Sequence, residues 1–248
     1  MAEHIVTDED APDAFEQHCY GDEAPVFISC EHASQRMPPG WSWPELDRRL
    51  FDSHFAYDIG ARDLSLELAK DLKCSAILSR FSRLLIDPNR PEDSPSLILG
   101  QADGLPVELN RDVLPSERER RLRLLYRPYH RALDCMVAAS SAKLLFSVHT
   151  FTPVFEGRER TLEVGVLYDR EEAAALQLGD ALKHAGIGVE LNEPYSGKAG
   201  LMYSIDQAAQ RYQRAALELE VRQDLAQDST YRARLVPVLA GALRRLAA

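Results

Sequence analysis

The stretch that most constrains this chain is 143–153, KLLFSVHTFTP, where a short apolar run, Leu144-Leu145-Phe146-Ser147-Val148, delivers a histidine. A run so short and so apolar, preceded by a helical pattern, predicts a buried strand of an α/β sheet. Pro153 then stops regular pairing, because it has no N–H for the ladder. Open α/β sheets bind ligands just outside the carboxyl ends of their strands, so His149 is expected where chemistry is done. The stretch 25–34, PVFISCEHAS, repeats the arrangement, with Val26-Phe27-Ile28 leading to Glu31 and His32. Two strand-end histidines far apart in the chain are thereby expected to meet in one crevice.

The remaining elements alternate. Strands are predicted at 75–78, 163–168, 187–191 and 215–221, and helices at 171–185, 204–212 and 229–246, the last containing Pro237. Ala61, Leu64, Leu68 and Leu72 recur at helical spacing, with His54 and Asp58 ahead of them. Another helix is expected from Ser116, where Ser116 and Glu119 form a capping box after Pro115 and Leu122, Leu125, Tyr129, Leu133, Met136 and Val137 trace one face. His130, between Arg127 and Arg131, reads as structural, on the opposite or a flanking surface. Strands alternating with helices predict an α/β fold, a mostly parallel or mixed central sheet flanked by helices. Residues 1–23 read as an acidic, partly helical lead-in. No linker or repeat divides the rest, so 24–248 is expected to be a single domain. Residues 94–112 form an irregular excursion, a lid or a plain loop. In 215–221, AALELEV, alternation puts Glu218 and Glu220 on one face and Leu217, Leu219 and Val221 on the other. Such a glutamate pair predicts a solvated edge.

A formal net charge of −10 argues against nucleic acid and anionic membranes as partners. No apolar run approaches membrane-spanning length, and the acidic Glu3, Asp8, Glu9 and Asp10 are unlike a signal peptide, so a cytoplasmic location is expected. Cys19, Cys30, Cys74 and Cys135 have no CxxC spacing and read as reduced residues, with Cys30 beside the candidate site. An anionic substrate in so acidic a chain requires arginines that reverse the field locally. Arg80, Arg83 and Arg90 with Asn89 in SRFSRLLIDPNRP supply them, since guanidinium forks hold carboxylates in a bidentate way. The same arginines equally suit ion pairs with Asp87, Glu92 and Asp93. Trp41 and Trp43 either wall a pocket or plug their loop onto the core. Asp58 reads as a helix N-cap or as a carboxylate ligand. His32, His149 and one carboxylate would complete the N/O set of a catalytic zinc site, its fourth position open to a water whose pKa falls to roughly 7. A further carboxylate beyond the ligands would carry the proton.

Seven blocks carry a resemblance: SCEHAS (29–34), YDIGA (57–61), SRLLIDPNRP (82–91), YRPYHRAL (126–133), SVHTFTP (147–153), LNEPYSG (191–197) and LELEVRQDL (217–225). In this order they resemble the N-formylglutamate amidohydrolases, relatives of the zinc carboxypeptidases. The resemblance implies a phosphorylase/hydrolase-like fold and a zinc enzyme that cleaves N-formyl-L-glutamate to formate and L-glutamate in histidine degradation. It implies His32, Asp58 and His149 as metal ligands and Glu220 as general base and acid. Arg83, Asn89 and Arg90 are implied to hold the carboxylates of a small anionic N-acyl amino acid. Either Arg127 or Tyr195 is expected to donate to the oxyanion. Where the family's deformylases look more like Pro-His-Ser-Gly, this chain has CEHAS, so Glu31 is the alternative carboxylate ligand or a partner behind one. Two other readings stand beside this one: a zinc amidase for another N-acyl amino acid or a peptidoglycan fragment, and a non-catalytic, metal-stabilised binding protein on the same scaffold.

Overall fold

A computed structural model describes residues 14–21 and 24–247. The sheet's strands are β1 (Phe15–Cys19), β2 (Val26–Cys30), β3 (Ser75–Ser79), β4 (Leu144–Phe151), β5 (Val164–Leu167), β6 (Val189–Leu191) and β7 (Ala215–Arg222). They form one 7-stranded sheet in the order β1-β3-β2-β4-β7-β5-β6. The pairings β3–β2, β2–β4, β4–β7 and β5–β6 are parallel, whereas β1–β3 and β7–β5 are antiparallel. The fold is a single α/β domain with a mixed central sheet, as the alternation predicts. Most of the acidic lead-in expected to be partly helical, 1–13 and 22–23, lies outside the described residues. Its described part is the antiparallel strand β1 and not a helix.

The helices cover both faces. On one, α1 (Ala61–Leu72), α4 (Glu172–His184) and α7 (Ser229–Leu246), the last preceded by the short α6 (Gln223–Gln227), bury Leu64, Leu68, Leu178, Leu182, Leu235, Leu239 and Leu243 against the sheet. Each such leucine contributes on the order of 2 kcal/mol. The other face is covered by α2 (Pro115–Arg121), α3 (Arg127–Ala139) and α5 (Tyr203–Tyr212), with a single π-helical stretch, Leu122–Tyr126, joining α2 to α3. Leu122, Leu125, Tyr129, Leu133 and Val137 are buried there, the stripe the periodicity predicts. The capping box does not form. Pro115, whose fixed φ suits the first helical position, starts α2 one residue early, so Ser116 is inside the helix and no side chain caps it. No helix among the described residues is long and apolar enough to cross a membrane.

Candidate active site

The sheet turns polar at its carboxyl end by simple alternation. On β4, Leu144, Phe146 and Val148 pack into the core under α1, α4 and α7, while Leu145 packs into the core under α3 and α5. Ser147 and His149 continue the Leu145 face. On β7, Leu217, Leu219 and Val221 join the first core and Ala216 the second, so Glu218 and Glu220 continue the Ala216 face. The parallel register places Glu218 beside Ser147 and Glu220 beside His149. Both glutamates are buried, which corrects the expected solvated edge: β7 is an interior strand, flanked by β4 and β5. Gly165 lies opposite Glu220 on β5, where an added Cβ would collide with the Glu193 carbonyl oxygen.

His32 follows β2 directly, and its carbonyl accepts the Asp58 N–H at 2.9 Å, bringing the segment before α1 against it. Asp58 does not cap α1. Gly60 is the N-cap, at φ 85°, and an added Cβ would lie 2.8 Å from Ala226. The Asp58 carboxylate instead lies between the two histidines, its Oδ2 2.8 Å from His149 Nδ1 and 3.4 Å from His32 Nδ1. The imidazoles meet edge to face with centroids 4.8 Å apart. Each ring is held from behind by another carboxylate: His32 Nε2 is 2.7 Å from Asp87 Oδ1, and His149 Nε2 is 3.0 Å from Glu31 Oε2. Glu31 also accepts from the Ser147 hydroxyl at 2.6 Å and from the Tyr129 hydroxyl at 3.2 Å. Asp87 accepts from Arg83 Nη2 at 2.7 Å and from the Asn89 N–H at 2.8 Å, and Arg83 Nη1 reaches Asp58 Oδ1 at 3.3 Å.

His32, Asp58 and His149, all buried, offer ligand atoms within 4.8 Å of one another. Two imidazoles and a carboxylate are a donor set that fits zinc and other divalent ions of intermediate hardness. Carboxylates behind the outer ring nitrogens are the usual means of fixing tautomer and orientation in metal-binding histidines. The surrounding charge points the same way. Burial alone would raise the Asp58 and Asp87 carboxyls, but His32 and His149 beside Asp58, and Arg83 and His32 beside Asp87, hold both well below the usual range. Burial likewise opposes ionisation of Glu31, yet the hydrogen bond and charge of His149 and the hydrogen bond from Ser147 bring it down to about 2. Burial would lower His149, but Glu218, Asp58 and Glu31 raise it well above the ordinary histidine value. Glu218 is pushed up to about 7, chiefly by burial and then by the negative charge of Glu31 and Asp58, against the opposing pull of His149. Glu220 is also raised well above the ordinary carboxylate range, again mainly by burial, with Asp58 and Glu218 adding to it. Each of these two glutamates keeps a buried Oε2 with no hydrogen-bond partner among the described residues.

These groups open into a cavity of about 350 Å³ lined by His32, His54, Asp58, Arg83, Asp87, Asn89, Arg90, His149, Tyr195, Glu218 and Glu220, with Phe55, Leu84, Leu99, Phe151 and Leu201 as apolar walls. Arg83, Asn89, Arg90 and Tyr195 therefore reach the same space as the histidines. The side chain of Asn89 is engaged with backbone, donating to the Leu201 carbonyl at 2.9 Å and accepting from the Ser204 N–H at 3.0 Å. Arg127 does not line the cavity. Its guanidinium lies on the surface between Glu92, at 3.1 Å, and Glu119, at 2.6 Å, so an oxyanion role does not fit its position. Trp41 and Trp43 do not line the cavity either: their indole N–H groups donate to Glu117 and to the Gln35 carbonyl. His130, expected on the opposite or a flanking surface, is instead packed among aromatic rings. It touches Tyr126, Tyr129 and Tyr203 and donates to the Pro88 carbonyl at 3.0 Å. Asp87, the partner of His32, was expected only to neutralise arginines. Four residues after Arg83, it carries no local signal that it is buried. His54 lines the cavity too, and burial lowers its pKa, with the Arg83 charge adding to the effect.

A mixed α/β sheet whose strand ends gather two imidazoles with a carboxylate between them and two glutamates of raised pKa has the make-up of a hydrolase of the amidohydrolase class. The N-formylglutamate amidohydrolase family model matches residues 24–226, and the chain belongs to that family. An N-formylglutamate deformylase of Pseudomonas putida is 32% identical over 117 residues, a match taking in 40% of this chain and 44% of that protein, less than half its length. Among solved structures, the gene product Atu2144 of Agrobacterium tumefaciens superposes with a TM-score of 0.87 at 26% identity, covering 98% of each chain. The N-formylglutamate amidohydrolase of Ralstonia eutropha JMP134 shares the fold, with a TM-score of 0.67, 20% identity and coverage of 95% of this chain and 97% of that one.

Proposed function

We propose that the protein is a metal-dependent amidohydrolase that cleaves N-formyl-L-glutamate to formate and L-glutamate, the reaction that would serve histidine degradation in the cytoplasm. The observation that carries this reading is the buried His32–Asp58–His149 cluster, with both outer ring nitrogens bonded to carboxylates. Those three residues would hold the ion, zinc by preference. Glu31 serves as the partner behind His149, tied as it is to Ser147 and Tyr129 on the ring's other nitrogen. When bound, a divalent ion polarises the scissile carbonyl and lowers the pKa of water to roughly 7.

The chain's own groups do the rest. Glu220 shares the His149 face and keeps an unpartnered oxygen, so it takes a proton from the attacking water and returns it to the leaving nitrogen. Burial raises its pKa, the direction that makes a carboxylate a stronger base toward that water. Arg83 orients Asp58 and Asp87, Arg90 would receive a substrate carboxylate, Asn89 fixes the loop that carries Arg90, and Tyr195, which lines the same cavity, would donate to the oxyanion.

Formate release from N-formyl-L-glutamate by zinc-loaded protein tests the reading, and no release at full metal occupancy would refute it. The apolar walls Phe55, Leu84, Leu99 and Phe151 favour a second reading, a different N-acyl amino acid as substrate. Stronger turnover of an N-acyl amino acid without a distal carboxylate would select that alternative.

A further inference from the structure

N-formyl-L-glutamate carries two carboxylates, and the cavity as described has one guanidinium to spare. Arg83 is held by Asp58 and Asp87, and the Asn89 amide by the 201–204 backbone. Arg90 forms no ion pair among the described residues. It donates through Nη1 to the neighbouring Asn89 carbonyl and lowers the pKa of Asp87 and Glu218, so its charge acts at the centre of the site. That position suits the carboxylate nearer the scissile amide.

Arg160 also forms no ion pair with a carboxylate among the described residues, in a protein whose net charge is −10. It closes the small hairpin in which Val154–Phe155 pairs with Arg158–Glu159. Its Nη1 donates to the Thr152 carbonyl at 3.3 Å and to the Thr152 hydroxyl at 3.2 Å, leaving Nε and Nη2 without an acceptor among the described residues. The guanidinium sits over three rings, with centroids at 4.6 Å for Phe155, 5.5 Å for Phe151 and 5.7 Å for Tyr195. Phe151, Thr152 and Tyr195 line the cavity while Phe155 is exposed, so Arg160 sits where that wall meets the surface. Its charge also reaches the cavity-lining His54. Stacked rings hold a guanidinium in place without neutralising it, so its planar fork remains available to a carboxylate.

We propose that Arg160 recognises the distal carboxylate of the acyl amino acid at the cavity rim, and so makes the enzyme prefer glutamate-type over glutamine-type substrates. This rests on the N-acyl amino acid reading above. The competing role for Arg160 is a latch that only holds the hairpin shut.

The test is kcat/KM of the zinc-loaded wild type, Arg160→Met and Arg160→Lys on N-formyl-L-glutamate and N-formyl-L-glutamine. The proposal expects a wild-type preference for the glutamate substrate that shrinks roughly tenfold to a hundredfold in Arg160→Met, mainly through KM, with Arg160→Lys between the two. Equal loss on both substrates would make Arg160 a latch and overturn the proposal, as would a wild type with no preference. If neither compound is hydrolysed, the functional reading fails separately, and calorimetric binding of L-glutamate against L-glutamine decides for Arg160. A preference lost in Arg160→Met and kept in part by Arg160→Lys supports the proposal; an unchanged or absent preference overturns it.

Discussion

Arg83 and Arg127 carry the same guanidinium, and each is gripped by two carboxylates. Arg83 lies between Asp58 and Asp87, whose side chains are 5% and 7% exposed, whereas Arg127 lies between Glu92 and Glu119, at 43% and 55%. Water screens the second triad, so its Coulomb energy is small and largely offset by the entropy of holding long side chains. Around Arg83 the ions have already lost their hydration, and each charge depends on its neighbours. That dependence passes from Arg83 through Asp58 and Asp87 to both histidines, so the buried triad sets the geometry of the candidate metal site. Chemistry alone does not separate the two arginines; desolvation does.

Four experiments sharpen or break the contrast. His149→Ala removes a ligand from the buried network and is expected to abolish both stoichiometric metal uptake and turnover, read by metal analysis and formate assay on one sample. Glu220→Gln should retain the metal and lower kcat by about 10²–10⁴-fold; near-normal turnover at full loading would remove Glu220 from the mechanism. Urea unfolding of the metal-free proteins compares the arginines directly. Arg83→Met should cost about 3–5 kcal/mol by stranding buried carboxylates, while Arg127→Met should cost no more than about 1 kcal/mol. Equal costs would mean that the two triads do not differ as described. Asp87→Asn leaves the ligands in place but weakens the grip on His32, and chelator competition should show metal affinity reduced about 10–100-fold.

The sequence carries the scaffold of this site more clearly than its depth. The apolar run at Leu144–Phe151 and its twin at Val26–Cys30 are buried strands, and both deliver their histidines to one cavity. Period-two alternation likewise puts Glu218 and Glu220 on a common face. It says nothing about what covers that face, and the antiparallel β5 that makes β7 interior has no signature in 215–221. Arg127 illustrates the converse. It lies within YRPYHRAL, a block that resembles the family, yet its helical position turns it toward Glu92 and Glu119 on the surface. Asp58 reads first as a cap, and as a ligand only through the family resemblance, until the left-handed Gly60 takes the N-cap and frees its carboxylate. Partners that meet across the fold, such as His32 with Asp87, have no spacing by which to be found.

The central claim is that His32, Asp58 and His149 hold the ion on which amide hydrolysis depends. The most direct test strips the purified protein with a chelator and titrates zinc back, following bound metal and formate release together. The account predicts turnover that rises in proportion to occupancy and saturates at one ion per chain, with His149→Ala taking up none. Full turnover by metal-free protein, or uptake by His149→Ala equal to that of the wild type, would contradict it.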